Sequence, residues 1–214
     1  MTFDDPAGIP AEIFQERRRL AFERLGEGVM VLPAHGGGHG VGPRVVDREL
    51  YYLTGLTIPG CIAVLVGGSE PRLVVFVPER DPEAELWDGA RPGPEEVGER
   101  IDWATCHARS TLATLLPDLM ADGDRIVYRL GRGDEVERLV FGALARARAR
   151  GARTGSGPRS VVDPGEVLDD LRTVKDVHEL AAIRRACAIT VEGHRAGVGA
   201  VAPGVGEGVV EATI

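Results

Sequence analysis

Apolar positions Ile13, Leu20, Ala21 and Leu25 form a rough helical stripe, and Arg17, Arg18 and Arg19 lie mostly off it. Pro10 suits the first turn of this helix and Gly26 the position just past its end. Val29–Leu32 is a short apolar run stopped by Pro33, which predicts a buried strand. A Gly-rich stretch, His35-Gly-Gly-Gly-His-Gly, comes next, and then a short aromatic segment from Leu50 to Gly55. Ile62–Val66 and Leu73–Val77 are two β-rich apolar runs. The turn residues Gly67-Gly68-Ser69-Glu70-Pro71 between them predict an antiparallel hairpin.

Beyond the hairpin, Pro82–Asp88 and Glu95–Arg100 predict short helices. Thr111–Ala121 predicts a helix that Pro117 should kink or interrupt. Ile126–Tyr128 is a strand. Asp134–Arg150 is an amphipathic helix with Val136, Leu139, Val140, Leu144 and Ala147 on one face. Ser160–Asp163 resembles a short last strand, followed by a helix at Val167–Arg172. Asp176 and Glu179 have the spacing of a capping box, so 177–201 predicts a long helix with Leu180, Ile183, Cys187 and Val191 on one face. Pro203-Gly204 ends it, and Glu207–Ile214 begins another. Alternating strands and helices with one antiparallel hairpin predict an α/β domain with a mixed sheet.

The 214 residues allow one large domain, or one plus a fragment. With 33 acidic and 25 basic residues the net charge is −8, the wrong sign for a general binder of nucleic acid or anionic membrane. Every basic residue except Lys175 is Arg, a bias that carries no functional weight by itself. Cys61, Cys106 and Cys187 never form a C-x-x-C pair, which fits a reducing compartment and no zinc ribbon. The N-terminus has no signal-peptide pattern, and the longest apolar runs are too short to span a bilayer. A cytoplasmic protein without nucleic-acid or membrane partners is the expectation.

Catalytic signals are weak. His35-Gly-Gly-Gly resembles a lipase oxyanion loop, but no G-x-S-x-G elbow accompanies it. His35 and His39 are spaced for zinc on a helix, which the three glycines between them disfavour, so a loop is expected. His178-Glu179 starts like H-E-x-x-H, but Ala182 stands where the second His is needed. Arg146, Arg148, Arg150 and Arg153 crowd a helix C-terminus, where the macrodipole favours cations. No catalytic constellation emerges from the residues alone.

The order of several segments is more specific. Phe14-Gln-Glu-Arg-Arg-Arg-Leu20 is followed by Tyr51-Tyr52-Leu-Thr-Gly55, and then by Arg80-Asp81-Pro-Glu-Ala-Glu85-Leu-Trp87-Asp-Gly89-Ala-Arg91. Leu171-Arg172-Thr-Val-Lys175 and Glu179–Ala186 close the series. Together these resemble the N-terminal domain of Xaa-Pro aminopeptidases (aminopeptidase P) and the related prolidases and creatinases, over residues 10–214. The resemblance implies a three-layer, ribonuclease H-like α/β domain with a mixed sheet at 1–172. It implies the first helices of a pita-bread metallopeptidase domain at 173–214.

In that family the pita-bread domain holds two divalent ions, often manganese, on two Asp, one His and two Glu, and a bridging hydroxide attacks the Xaa-Pro bond. The family's two Asp ligands are eleven positions apart, and no Asp here has another eleven residues on. The chain is therefore expected to be truncated before the metal-binding domain, to carry no catalytic or metal-binding residue and no cofactor, and to be inactive alone. The resemblance further implies a role in oligomerisation and in shaping the substrate entrance. The expected partners are the chain's own catalytic domain, neighbouring subunits of a homo-oligomer, and peptides with proline second. Trp87 and Arg153 are the expected entrance residues. For Trp87 the alternative is anchoring its helix on the sheet, and for Arg153 a solvated loop. Tyr51 and Tyr52 are expected to pack, and Arg80 and Asp81 to form an ion pair or turn cap. A stand-alone peptide- or protein-binding module of the same fold, or part of a prolidase or creatinase, are the alternative readings.

Overall fold

The computed structural model describes residues 8–34, 47–99, 101, 103–121, 123–131, 133–152 and 155–214. Two compact units divide the chain. One is Ala11–Thr173 and the other includes Val174–Ile214.

In the first unit, helix α1 (Ala11–Leu25) leads into strand β1 (Val29–Pro33), α2 (Arg48–Thr54), β2 (Ile62–Val66) and β3 (Arg72–Val77). Next come α3 (Pro82–Asp88), α4 (Pro94–Gly98) and β4 (Thr105–Ala108). A 3₁₀ turn at Arg109–Thr111 runs into α5 (Leu112–Ala121), followed by β5 (Arg125–Val127), α6 (Glu135–Gly151), β6 (Ser160–Val162) and α7 (Gly165–Thr173). The strands form one six-stranded sheet in the order β4-β3-β2-β1-β5-β6. The β1–β2 and β2–β3 pairs are antiparallel; β3–β4, β1–β5 and β5–β6 are parallel. This is the mixed α/β sheet predicted from the hairpin and the alternation around it.

Both faces of the sheet are covered. Val29, Val31, Ile62, Val64 and Phe76 pack with Leu112, Leu116 and Met120 of α5 and Val136, Val140 and Leu144 of α6. Residues of the opposite parity, Met30, Leu32, Ala63, Leu65 and Val75, are also buried. They belong to the other face, because successive strand residues point to opposite sides. α1, α2 and α7 pack on one another, and α2 lies against β1. Strands buried on both sides read as continuous apolar runs, which is why β1–β3 stand out in the sequence.

Four local expectations change. Pro117 does not interrupt α5, which is helical throughout. A proline removes the N–H that would bond the carbonyl four residues back. Arg146 of α6 donates from Nη2 to that Ala113 carbonyl at 3.2 Å, so the gap is filled from outside the helix. Arg17 and Arg18 are buried on the inner face of α1 with Phe14, Ala21 and Leu25, rather than off the stripe. β1 extends through Pro33 rather than stopping before it. β4, Thr-Cys-His-Ala, is a strand that the apolar pattern does not predict, because its apolar content is too low to register.

Arginine forks complete other carbonyls too. Arg17 and Arg18 donate to the carbonyls of Tyr52 (3.3 Å) and Leu53 (3.0 Å) in the last turn of α2. Arg125 donates to the carbonyls of Arg24 and Leu25, where α1 ends. Helix ends leave such acceptors without an internal partner. The Arg-rich composition therefore has a structural use here.

In the second unit, α8 (Val177–Ala200) starts on the predicted capping box. The Glu179 N–H donates to Asp176 Oδ1 at 2.8 Å, and the Asp176 N–H to Glu179 Oε2 at 3.0 Å. α9 (Glu207–Thr213) packs back on α8. Gly193 and Gly197 leave room there, since a Cβ on Gly197 would meet Ile214 Cγ1 at 2.7 Å. Among the described residues, no helix is long and apolar enough to cross a membrane.

The three thiols differ in ways a labelling experiment reads. Cys61 is buried, and burial pushes its thiol up to about 12. Burial also raises Cys106, while Cys187 is exposed. At pH 8 a thiol with such a pKa is ionised to about one part in 10,000, and the thiolate is the reactive form. Native protein treated with a thiol reagent should label Cys187 within minutes and Cys61 only after unfolding. Mass mapping of the labelled peptides checks this, and Cys61 labelled in the native state would refute its burial.

Candidate functional site

The segment between β3 and β4 builds the most distinctive surface of the first unit. Asp81 opens α3 by accepting the Glu83 N–H on Oδ1 at 3.0 Å, an acidic cap at a helix start. Arg80 grips Glu85 with both ends of its fork, Nε to Oε1 at 2.8 Å and Nη2 to Oε2 at 2.7 Å. That bidentate pair ties the segment before the helix to its middle. The Arg80 hydrogen bonds hold the Glu85 carboxyl below the usual carboxylate range, with Arg91 adding to the effect. Arg80 also lies 3.8 Å from Glu96 of α4. Glu96 in turn accepts the Gly93 N–H at 3.2 Å, which caps the start of α4.

α3 leaves two apolar side chains in solvent. Trp87 is 90% exposed and its neighbour Leu86 83%. Trp87 therefore does not anchor the helix on the sheet. Leu86 is passed over by sequence reasoning, although an apolar residue beside an exposed Trp in so charged a helix is the signal that marks it. Under α3 lies a small cavity of about 50 Å³, walled by Ile58, Pro59, Pro78 and Pro92 with Arg80 and Arg91 at its rim. Beside it a wider groove of about 680 Å³ runs between α4 and β4. At the junction, Glu79 accepts the Ser110 N–H at 3.2 Å, and Ser110 holds its carboxyl below the ordinary range.

Arg153, His35 and His39 lie outside the described residues. Tyr51 and Tyr52 pack as expected. Tyr51 meets Phe14 edge-on at 5.8 Å, and the buried Tyr52 donates to the Leu171 carbonyl at 3.0 Å. Arg80 and Asp81 form the ion pair and the cap. One link has no sequence signal. The Arg18 guanidinium stacks 4.0 Å above the Trp103 ring, joining α1 to the segment that leads from α4 into β4. Among the described residues no three His, Cys, Asp or Glu side chains gather as a metal site.

A family model described as "Aminopeptidase P, N-terminal domain" matches residues 14–128. The Xaa-Pro aminopeptidase of Escherichia coli (strain K12) is 25% identical over 206 residues, 93% of this chain and 47% of that protein. A probable Xaa-Pro aminopeptidase of Sordaria macrospora is 29% identical over 153 residues, 70% of this chain and 24% of that protein. Among solved structures, a low-pH form of aminopeptidase P from E. coli superposes with a TM-score of 0.83 at 25% identity, over 96% of this chain and 48% of that one. Proline aminopeptidase P II from Yersinia pestis superposes with a TM-score of 0.82 at 24% identity, over 96% and 49%. The chain thus spans about half the length, or less, of the curated relatives it matches.

Proposed function

The chain belongs to the aminopeptidase P N-terminal domain family, and from that premise we propose that it is the non-catalytic domain of a metallo-aminopeptidase that removes the residue before proline. The proposed work of this domain is to shape the substrate entrance and to take part in assembly with neighbouring subunits. The observation that carries the reading is Trp87, 90% exposed on a helix that the bidentate Arg80–Glu85 pair ties to the segment before it. An exposed Trp on a fixed support offers a flat apolar face at little entropic cost, which suits a proline ring or a partner surface.

Two divalent ions, manganese on this reading, belong to the catalytic domain of such a protein. No step of hydrolysis is assigned to the residues of this chain. α8 is consistent with a second domain beside it. Its Ile183, Ile189 and Val191 are 46–63% exposed, the kind of apolar helix face that another layer covers.

The test compares protein that carries the catalytic domain with the 214-residue chain alone, on Xaa-Pro tripeptides with Mn²⁺. Release of the first residue is expected from the former only. In it, Trp87→Ala should raise KM about tenfold, with Trp87→Phe close to wild type and the Tm unchanged in both. Absence of Xaa-Pro cleavage by the longer protein would refute the reading. A fall in Tm with unchanged KM would move Trp87 from the entrance to the core.

A further inference from the structure

β4 is the outer strand of the sheet, and the groove of about 680 Å³ borders it. Successive strand residues face opposite sides, yet Cys106, His107 and Ala108 all line this groove. A space touched by three consecutive residues runs along the strand's edge rather than over one face. An edge strand turns the N–H and C=O of every second residue outwards, ready to pair. Nothing in the composition of Thr105–Ala108 blunts that edge, which holds neither Lys nor Pro. The strand is also well fixed, paired with β3 from Val74–Thr105 to Val77–Ala108, with the His107 ring 5.9 Å from that of Phe76.

The facing wall is acidic. Glu95 and Glu96 of α4 line the groove and are exposed. Arg80, the cation of the rim, has its fork on Glu85 and lies 3.8 Å from Glu96, so Glu95 is the acid of this wall that Arg80 does not reach. We propose that this groove docks an extended basic segment of a polypeptide, which adds to β4 as a seventh strand and sets its cations against Glu95 and Glu96. Main-chain pairing supplies the affinity and the acids select the charge. A second copy of the same edge would bring two acidic walls together, and like charges oppose that pairing. This inference stands apart from the peptidase reading and does not need it.

The probe is a fluorescein-labelled eight-residue peptide alternating Arg and Val, read by fluorescence polarisation on the 214-residue chain. Saturable binding is expected, at least tenfold weaker when Glu replaces Arg in the peptide. Glu95→Lys should weaken it at least threefold. Hydrogen exchange at 105–108 should slow when the peptide binds. Methylating every second peptide amide should abolish binding in one register and spare it in the other, since one set of amides faces β4. Equal binding of the Arg and Glu peptides, equal binding of the two methylated forms, or unprotected β4 amides would overturn the proposal. So would a concentration-dependent dimer with β4 protected in the absence of peptide. Failure of the Xaa-Pro assay would leave every one of these readouts intact.

Discussion

Gly67→Ala is expected to destabilise the first unit by about 3 kcal/mol and to lower its Tm by roughly 6–12 °C. The cause is a close approach. A Cβ at residue 67 would stand 1.9 Å from the carbonyl oxygen of Gly26, which is rigid backbone. The turn after β2 lies directly on the end of α1 at this point. The Gly67 N–H donates to the Gly28 carbonyl at 2.9 Å and the Gly68 N–H to the Gly26 carbonyl at 2.8 Å. A methyl group there must prise the turn from the helix end, and both bonds lengthen or break. Gly142→Ala is the matched control. It lies inside α6 with nothing nearer its Cβ position than Arg146 Nη2 at 4.0 Å. Relief of glycine's helix penalty should stabilise there by about 0.5–1 kcal/mol. Thermal melts of the two variants check both signs, and equal melts would refute the close approach.

Arg18→Ala should cost about as much, roughly 3 kcal/mol, through a different set of losses. Arg18 is 7% exposed, bonds the Leu53 carbonyl at 3.0 Å and stacks on Trp103 at 4.0 Å. Its removal strips a charged donor from a helix-end acceptor, a cation from an aromatic face and an aliphatic stem from the packing. Arg18→Lys should fall between, because an ammonium keeps the charge but loses the planar fork that serves carbonyl and ring together. Urea melts give the energies. In a Trp87→Phe background the remaining indole, Trp103, reports the change directly, and its emission should move to the red in Arg18→Ala. Unchanged emission would refute the stack.

Much of this fold is legible in the chain because its strands declare themselves. β1, β2 and β3 are buried on both sides, so their runs are apolar without interruption. α8 announces its start by Asp176 and Glu179, a local pattern that local geometry satisfies. What stays hidden depends on residues far apart in sequence. Nothing beside Arg18 tells that Trp103 will lie over it, and nothing near Pro117 tells that Arg146 will supply the missing bond. β4 is an edge strand, so its composition need not be apolar and gives no pattern to read. At the candidate site, the residue types of the Arg80–Arg91 segment are plain in the sequence. The exposure of Trp87 follows only once Arg80, Glu85 and Glu96 are seen to hold each other.

The strand order also sets a timetable for synthesis. β1 is the first strand made and lies inside the sheet, with β2 on one side and β5 on the other. Its β2 edge can close as soon as the hairpin half emerges, whereas β5 is made roughly 90 residues after β1. At about 5–20 residues per second that interval is roughly 5–20 s, during which Val29 and Met30, the β1 residues that pair with β5, keep one edge open. An open apolar edge is a template for any other strand nearby. Nascent chains of this domain are therefore most exposed to mispairing on the ribosome in that window, and slowing translation between residues 33 and 125 should lower the soluble yield.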